Sequence, residues 1–274
     1  MTPPGRVGAL LLAAGIGSRL RPLSDVLPKC LMPICGRPLL GLWLDALAAA
    51  DIAPIVVNTH HHAALVQAYL ARSPHAARLV VTHEAELLGT GGSLAANHEA
   101  LGDADVLLAH ADNLSAFDPR AFIGAFSARP AASLLTMMTF ETDAPESCGI
   151  VETDAAGLVR AFHEKVANPP GTRANAAVYM LGAELRALVR QGGPATADFS
   201  TGVLPRLLGR MNTWHNGTYH RDIGTPKNLF RAQIEYPLAT ALHPAPPDPW
   251  FGLMARDNGA LARAFTTAVA AAMA

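Results

Sequence analysis

The apolar run Val7 to Leu12 gives way abruptly to small residues, Ala13-Ala14-Gly15-Ile16-Gly17-Ser18, and then to Arg19, Arg21 and Lys29. Such a run reads as a buried strand that empties into a loop, where glycine lets backbone N–H groups approach a ligand without side-chain interference. The cations that follow are what a triphosphate requires. Two common glycine motifs are excluded by spacing. No lysine follows Gly15 or Gly17 as a P-loop demands, and Leu20 stands where a dinucleotide fingerprint needs its third glycine. An ordinary strand-to-helix turn would explain Gly15 and Gly17 alone. It would not explain two arginines and a proline-flanked lysine so soon afterwards.

With 274 residues, 50% of them hydrophobic and only 16% charged, the chain has material for one large core. No apolar run approaches the roughly 20 residues of a membrane span, and Met1 to Arg6 lacks the apolar stretch of a secretory signal. A net charge of −1 gives no electrostatic footprint for nucleic acid. The three cysteines, Cys30, Cys35 and Cys148, lack metal-ligand spacing and fit a reducing cytoplasm.

Candidate strands (Val7–Ala13, Ile55–Asn58, Arg78–Thr82, Val106–Ala109, Ala132–Thr139) alternate with helical stretches (Pro38–Ala50, Ala63–Arg72, Gly92–Ala100, Arg120–Ala128). This predicts an α/β fold, a Rossmann-like, mainly parallel sheet flanked by helices, with ligands beyond the carboxyl ends of its strands. Past residue 148 the texture changes. Gly149–Thr153 and Leu158–His163 flank the turn cluster Asp154 to Gly157, a small β-hairpin subregion. Ala176–Leu181 reads as a further strand and Trp214–His220 as a second short hairpin around Asn216-Gly217. Residues 1–236 then form one domain, and 237–274 a Pro-rich linker (His243 to Pro249) with a helical tail. That tail, Leu253–Ala274, either packs on the domain, forms a homodimer contact or frays.

Residues 12–33 carry a resemblance. Leu12 to Gly15, Gly17, Ser18, Arg19, Leu20, Pro22, Leu23, Ser24, Pro28, Lys29, Leu31 or Met32, and Pro33 match the N-terminal signature of the sugar-1-phosphate nucleotidyltransferases. The resemblance implies the nucleotidyltransferase type A fold. It further implies that Ala13, Ala14, Gly15, Gly17, Ser18, Arg19 and Lys29 hold the nucleoside triphosphate. Leu88-Gly89-Thr90-Gly91-Gly92 resembles the loop where base and ribose sit. Asp112 at the end of an apolar strand, and Asp222 in Asp-Ile-Gly-Thr-Pro, resemble the two carboxylates that hold Mg²⁺. A hard cation of that kind uses one or two carboxylates plus phosphate oxygens. Glu164 and Lys165 match the sugar and phosphate contacts of the family, Asn175 its sugar-binding amide, and Gly149 a glycine close to the sugar. Ala111 and Ala177 stand where the family usually has glycine.

These likenesses imply in-line nucleotidyl transfer from an NTP to a sugar 1-phosphate, with Arg19, Lys29, Asp112, Lys165 and Asp222 catalytic. Neither nucleic acid nor membrane is an expected partner. The short form looks most like the guanylyltransferases acting on mannose or heptose 1-phosphate. Uridylyl or thymidylyl transfer stays open, as does a catalytically degenerate nucleotide-binding regulatory subunit. His60-His61-His62 is read as no metal site, because adjacent side chains diverge. Asp198 is read as a helix cap, and Trp43 and Phe122 as core or interface.

Overall fold

Strand β1 (Val7–Leu12) is apolar at every position because both of its faces are covered. Ala9 and Leu11 join one apolar cluster with Trp43 and Leu47, whereas Leu10 and Leu12 join another with Leu94 and Leu185. Alternation of side chains across a strand, combined with helices on both sides, requires this continuous hydrophobicity.

The computed structural model describes residues 6–240 and 248–273. After β1 come β2 (Pro33–Ile34), β3 (Arg37–Pro38), β4 (Ile55–Thr59), β5 (Leu79–His83), β6 (Asp105–His110) and β7 (Asn113–Ala116). The later strands are β8 (Leu135–Glu141), β9 (Gly149–Thr153), β10 (Val159–Glu164), β11 (Arg173–Leu181), β12 (Met211–His215) and β13 (Tyr219–Asp222). The helices are α1 (Leu39–Ala49), α2 (Ala63–Ala71), α3 (Thr90–Ala96), α4 (His98–Leu101), α5 (Pro119–Ser127), α6 (Ala183–Gly192), α7 (Pro226–Thr240), α8 (Pro249–Asp257) and α9 (Gly259–Met273).

The main sheet runs β10-β9-β11-β6-β1-β4-β5, with β8 on β11 and β12 on β8. Its β6-β1-β4-β5 portion is parallel. Strand β11 enters antiparallel between β6 and β8 and carries the β9–β10 hairpin at its far end. The parallel strands all end at one edge, at Leu12, Thr59, His83 and His110. A separate two-stranded ladder, β7 with β13, continues past that edge.

The expected hairpin across Asn216-Gly217 does not form. Strand β12 lies parallel to β8, and β13 leaves it to pair with β7. The Asn216 side chain redirects the chain: its Oδ1 accepts from Thr218 N–H at 3.0 Å and its Nδ2 donates to Tyr219 O at 3.0 Å. This Asx-type turn takes the place of a hairpin turn. The helical stretch Gly92–Ala100 likewise divides, into α3 and α4, at Asn97.

Of the Pro-rich stretch, residues 243–247 lie outside the described residues. The tail is two helices rather than one, because Asn258 Oδ1 accepts from Leu261 N–H at 3.1 Å and caps α9. Both pack on the β1 cluster that contains Trp43. Trp250 is buried edge-to-face on Tyr69, with centroids 5.4 Å apart, and Ala268 is buried in the same cluster. No helix among the described residues is long and apolar enough to cross a membrane.

Candidate active site

Lys29 follows Pro28 in a tight turn, Lys29–Leu31, that buries the lysine stem. Its Nζ donates to Asp222 Oδ1 at 2.6 Å and to Asp112 Oδ2 at 3.1 Å. Arg19 donates to the other Asp222 oxygen at 3.1 Å. The two aspartates meet because the β7–β13 ladder sets Asp222 opposite Asn113, one residue past Asp112. Gly17 explains how the loop closes over this group. Its φ is +67°, which L side chains disfavour, and a Cβ there would lie 3.3 Å from Lys29 Cβ.

Burial alone would lower the Lys29 pKa, but the neighbouring carboxylates of Asp112 and Asp222 outweigh it, and the net direction is upward. For Asp222, burial opposes ionisation. The Lys29 and Arg19 cations and the Gly224 N–H prevail, so its pKa is lowered. The lysine is therefore an ammonium and Asp222 a carboxylate across the neutral range.

This group opens into a cavity of about 500 Å³ lined by Arg19, Lys29, Asp112, Gly149, Glu164, Lys165, Asn175 and Asp222. All eight were candidates from sequence. Lys165 Nζ lies 3.2 Å from Glu164 Oε1 and keeps most of its side chain exposed. Gly149 is glycine for a reason internal to the protein: a Cβ would fall 2.5 Å from the Phe162 ring and 2.7 Å from Glu164. Asn175 is held on two sides, accepting from Ala177 N–H at 2.9 Å and donating to Tyr179 Oη at 2.7 Å. Ala177 sits at φ +54°, where β11 shifts register between Asn175 and Tyr179.

The glycine loop contributes Arg19 to that lining and borders it, whereas the Leu88–Gly92 loop is not part of it. Ala13 and Ala14 are buried, while Gly15, Ser18 and Arg19 are exposed. Gly15 reaches the carboxylate group, with Asp112 Oδ2 3.8 Å from where its Cβ would be. At Gly91 a Cβ would collide with Thr196 O, at Gly89 with Ala197 O, and Thr90 Oγ1 accepts from Phe199 N–H at 2.7 Å. These residues thus pack a loop against 196–199. A buried network ties the two loops together. Asn58 Oδ1 accepts from Ala13 N–H at 2.7 Å, and Asn58 Nδ2 donates to Glu84 Oε1 at 2.7 Å. Ser93 Oγ donates to the same Glu84 oxygen at 2.6 Å. Leu88 N–H donates to Glu84 Oε2 at 3.3 Å.

Sequence reasoning missed Asn58 and Glu84, which carry no local motif. It also missed His110 and His220, which line the cavity and do carry one: each stands two residues before a site aspartate, as His-Ala-Asp and His-Arg-Asp. On β13 this spacing puts His220 and Asp222 on one face, whereas His110 ends β6 and Asp112 lies in the turn beyond it. Burial lowers the pKa of both, that of His220 to about 3, so both rings are neutral. The rings of His60, His61 and His62 bond backbone carbonyls, His60 that of Glu84 and the other two that of Ser24. Asp198 caps its turn through Thr201 N–H, and Trp43 and Phe122 are buried core.

The residues fit a hard divalent cation. Asp112 and Asp222 already share one cation, the Lys29 ammonium, so the pair is arranged for positive charge. Among the described residues no third acidic, histidine or cysteine side chain completes a metal cluster. Phosphate oxygens and water would have to supply the rest, the pattern Mg²⁺ uses.

An α/β sheet with two carboxylates and two cations at its carboxyl edge, beside a polar cavity, is the arrangement of an enzyme that handles phosphate groups. The chain belongs to the nucleotidyl transferase family, whose model matches residues 8–237. The mannose-1-phosphate guanylyltransferase of Mycobacterium tuberculosis is 28% identical over 246 residues, 88% of this chain and 67% of the relative. The N-acetylmuramate alpha-1-phosphate uridylyltransferase of Caulobacter vibrioides is 36% identical over 161 residues, 56% of this chain and 66% of the relative. The chain therefore spans about two thirds of the length of these relatives. A solved Bacillus anthracis structure, assigned as a glucose-1-phosphate thymidylyltransferase, shares the fold. Its TM-score is 0.77 at 20% identity, covering 86% of this chain and 96% of that one.

Proposed function

We propose that this chain joins an NTP to a sugar 1-phosphate, giving an NDP-sugar and pyrophosphate, with GTP as donor and mannose or heptose 1-phosphate as acceptor. The observation that carries the reading is the Lys29 ammonium held between Asp112 and Asp222 in the wall of a cavity that Glu164, Lys165 and Asn175 also line. An acceptor phosphate oxygen attacks the α-phosphorus. The bond to the bridging oxygen breaks, and pyrophosphate leaves with the electron pair. The attacking phosphate is already an anion, so no protein nucleophile is needed. Positioning and charge neutralisation remain as the protein's work.

Arg19 and Lys29 neutralise the triphosphate, and Lys165, exposed into the cavity, holds the acceptor phosphate. Glu164 and the amide of Asn175 take sugar hydroxyls. Asp112 and Asp222 would hold Mg²⁺, which supplies charge neutralisation where the new phosphate link forms.

The Mycobacterium tuberculosis relative, similar along most of the chain, supports GTP and mannose 1-phosphate. The higher identity of the Caulobacter vibrioides relative favours a second reading, UTP with N-acetylmuramate 1-phosphate. Pyrophosphate release measured for GTP, UTP, dTTP, CTP and ATP against each sugar 1-phosphate decides between them. Highest kcat/KM for GTP with mannose or heptose 1-phosphate is expected. UTP with N-acetylmuramate 1-phosphate in first place would install the second reading. NTP binding without turnover for any acceptor would make the chain a regulatory subunit.

A further inference from the structure

His220 is held in the cavity without the hydrogen bonds that a structural histidine makes. Its Nδ1 is buried and has no partner, and neither ring nitrogen bonds a protein atom among the described residues. The ring lies on Phe140, with centroids 4.3 Å apart, and both rings line the cavity. Four other buried side-chain polar atoms among the described residues lack partners, on Ser24, Thr82, Arg186 and Trp250. None of those residues lines this cavity.

An unpaired buried polar atom lowers stability, and native proteins keep few of them. A phenyl ring would fill the same space on Phe140 without an unpaired nitrogen. An imidazole retained here therefore points to use of the nitrogen that is not buried, Nε2. The neighbouring wall identifies what Nε2 would meet. Phe140, Thr142 and Gly149 line the cavity near the Glu164-Lys165 pair and Asn175, the acceptor side in the reading above.

We propose that His220 is a specificity-determining residue that hydrogen-bonds a hydroxyl of the acceptor sugar through Nε2, while its ring and Phe140 form the surface under the sugar. The inference rests on the proposed function and adds a residue to it. One neutral hydrogen bond corresponds to an effect of up to about 10-fold on acceptor affinity.

Three variants test it. His220→Phe keeps the ring stack and removes both nitrogens. In His220→Gln the amide reaches the place of Nε2, and in His220→Asn the place of Nδ1. Steady-state kinetics, calorimetric titration with the sugar 1-phosphate, and thermal unfolding are measured for each. The expected result for His220→Phe is an acceptor KM and Kd raised about 10-fold, an unchanged NTP KM, and an unfolding temperature equal to or above wild type. Gln restores most of the acceptor affinity and Asn does not. Unchanged acceptor KM in His220→Phe overturns the proposal, as does an equal loss for both substrates or equal rescue by Gln and Asn. Should Phe fail to fold, the Gln and Asn comparison decides alone. A wild-type protein inactive on every NTP and acceptor would instead refute the proposed function.

Discussion

Lys29 and Asp222 lie 2.6 Å apart, and the lysine side chain is 6% exposed. An ammonium so buried is stable only while paired, because an unpaired charge cannot recover its lost hydration. We expect Lys29→Met to lower turnover at least ~100-fold, since one preorganised charge at a phosphoryl centre contributes on the order of 3 kcal/mol. Asp112→Asn and Asp222→Asn should do the same. Lys29→Met should also reduce stability by about 2 kcal/mol, because it leaves two partly exposed carboxylates facing each other. Pyrophosphate release and urea unfolding check both effects. Near-wild-type turnover of Asp112→Asn would remove the two-carboxylate assignment.

The same ion pairs bear on metal removal. Lys29 and Arg19 neutralise Asp222 from within the protein, so folding has no need of a bound divalent ion. EDTA should abolish nucleotidyl transfer and leave the unfolding temperature within 1–2 °C or so of the untreated protein. A large destabilisation by EDTA would show that the metal, rather than Lys29, neutralises the carboxylates in the resting enzyme.

Locality decided which parts of this arrangement were readable from the chain. The strand Val7–Leu12 and the loop after it follow from consecutive residues, and Lys29 from its flanking prolines. The pairing of Asp112 with Asp222 was reached only through resemblance, because its physical cause is the β7–β13 ladder. That ladder was hidden by Asn216-Gly217, which has the composition of a hairpin turn and instead separates two strands. Glu84 and Asn58 were beyond reach for another reason. Their partners come from β1, β4 and the loop before α3, and no spacing within any one segment announces them. The His-x-Asp pairs at 110 and 220 were visible as a pattern.

Ala177 occupies the left-handed region, at φ +54°, in the cavity lining. A Cβ there is strained by roughly 1–2 kcal/mol, partly offset in glycine by its freer unfolded chain. Ala177→Gly should therefore stabilise the protein by about 0.5–1 kcal/mol in denaturant unfolding. A destabilised glycine variant would mean that the Ala177 methyl packs against the wall and compensates its backbone strain.

Glu84 accepts from Asn58, Ser93 and Leu88, and Asn58 in turn accepts from Ala13, so one buried carboxylate braces both loops proposed to hold the nucleotide. Glu84→Ala strands three donors and should destabilise by about 3 kcal/mol. With the loops loosened, the NTP KM should rise more than the acceptor KM, because the proposed acceptor residues lie outside these two loops. Equal changes in both constants would show that the network supports the fold alone.

The cysteines report the site without turnover. Burial, with the nearby Asp112 carboxylate adding to it, pushes the Cys30 thiol up to about 12. Thiolate is the reactive form, so Cys30 stays inert at pH 8 and reacts only when the chain unfolds. Cys35 is exposed, and Cys148 lines the cavity beside Gly149. Iodoacetamide at pH 8, followed by peptide mass spectrometry, should modify Cys35 and Cys148 and spare Cys30. Sugar 1-phosphate should slow alkylation of Cys148 and leave Cys35 unchanged. Cys148 labelling that ignores saturating acceptor would place the sugar away from Gly149, whereas protection of both thiols would indicate a general tightening of the fold.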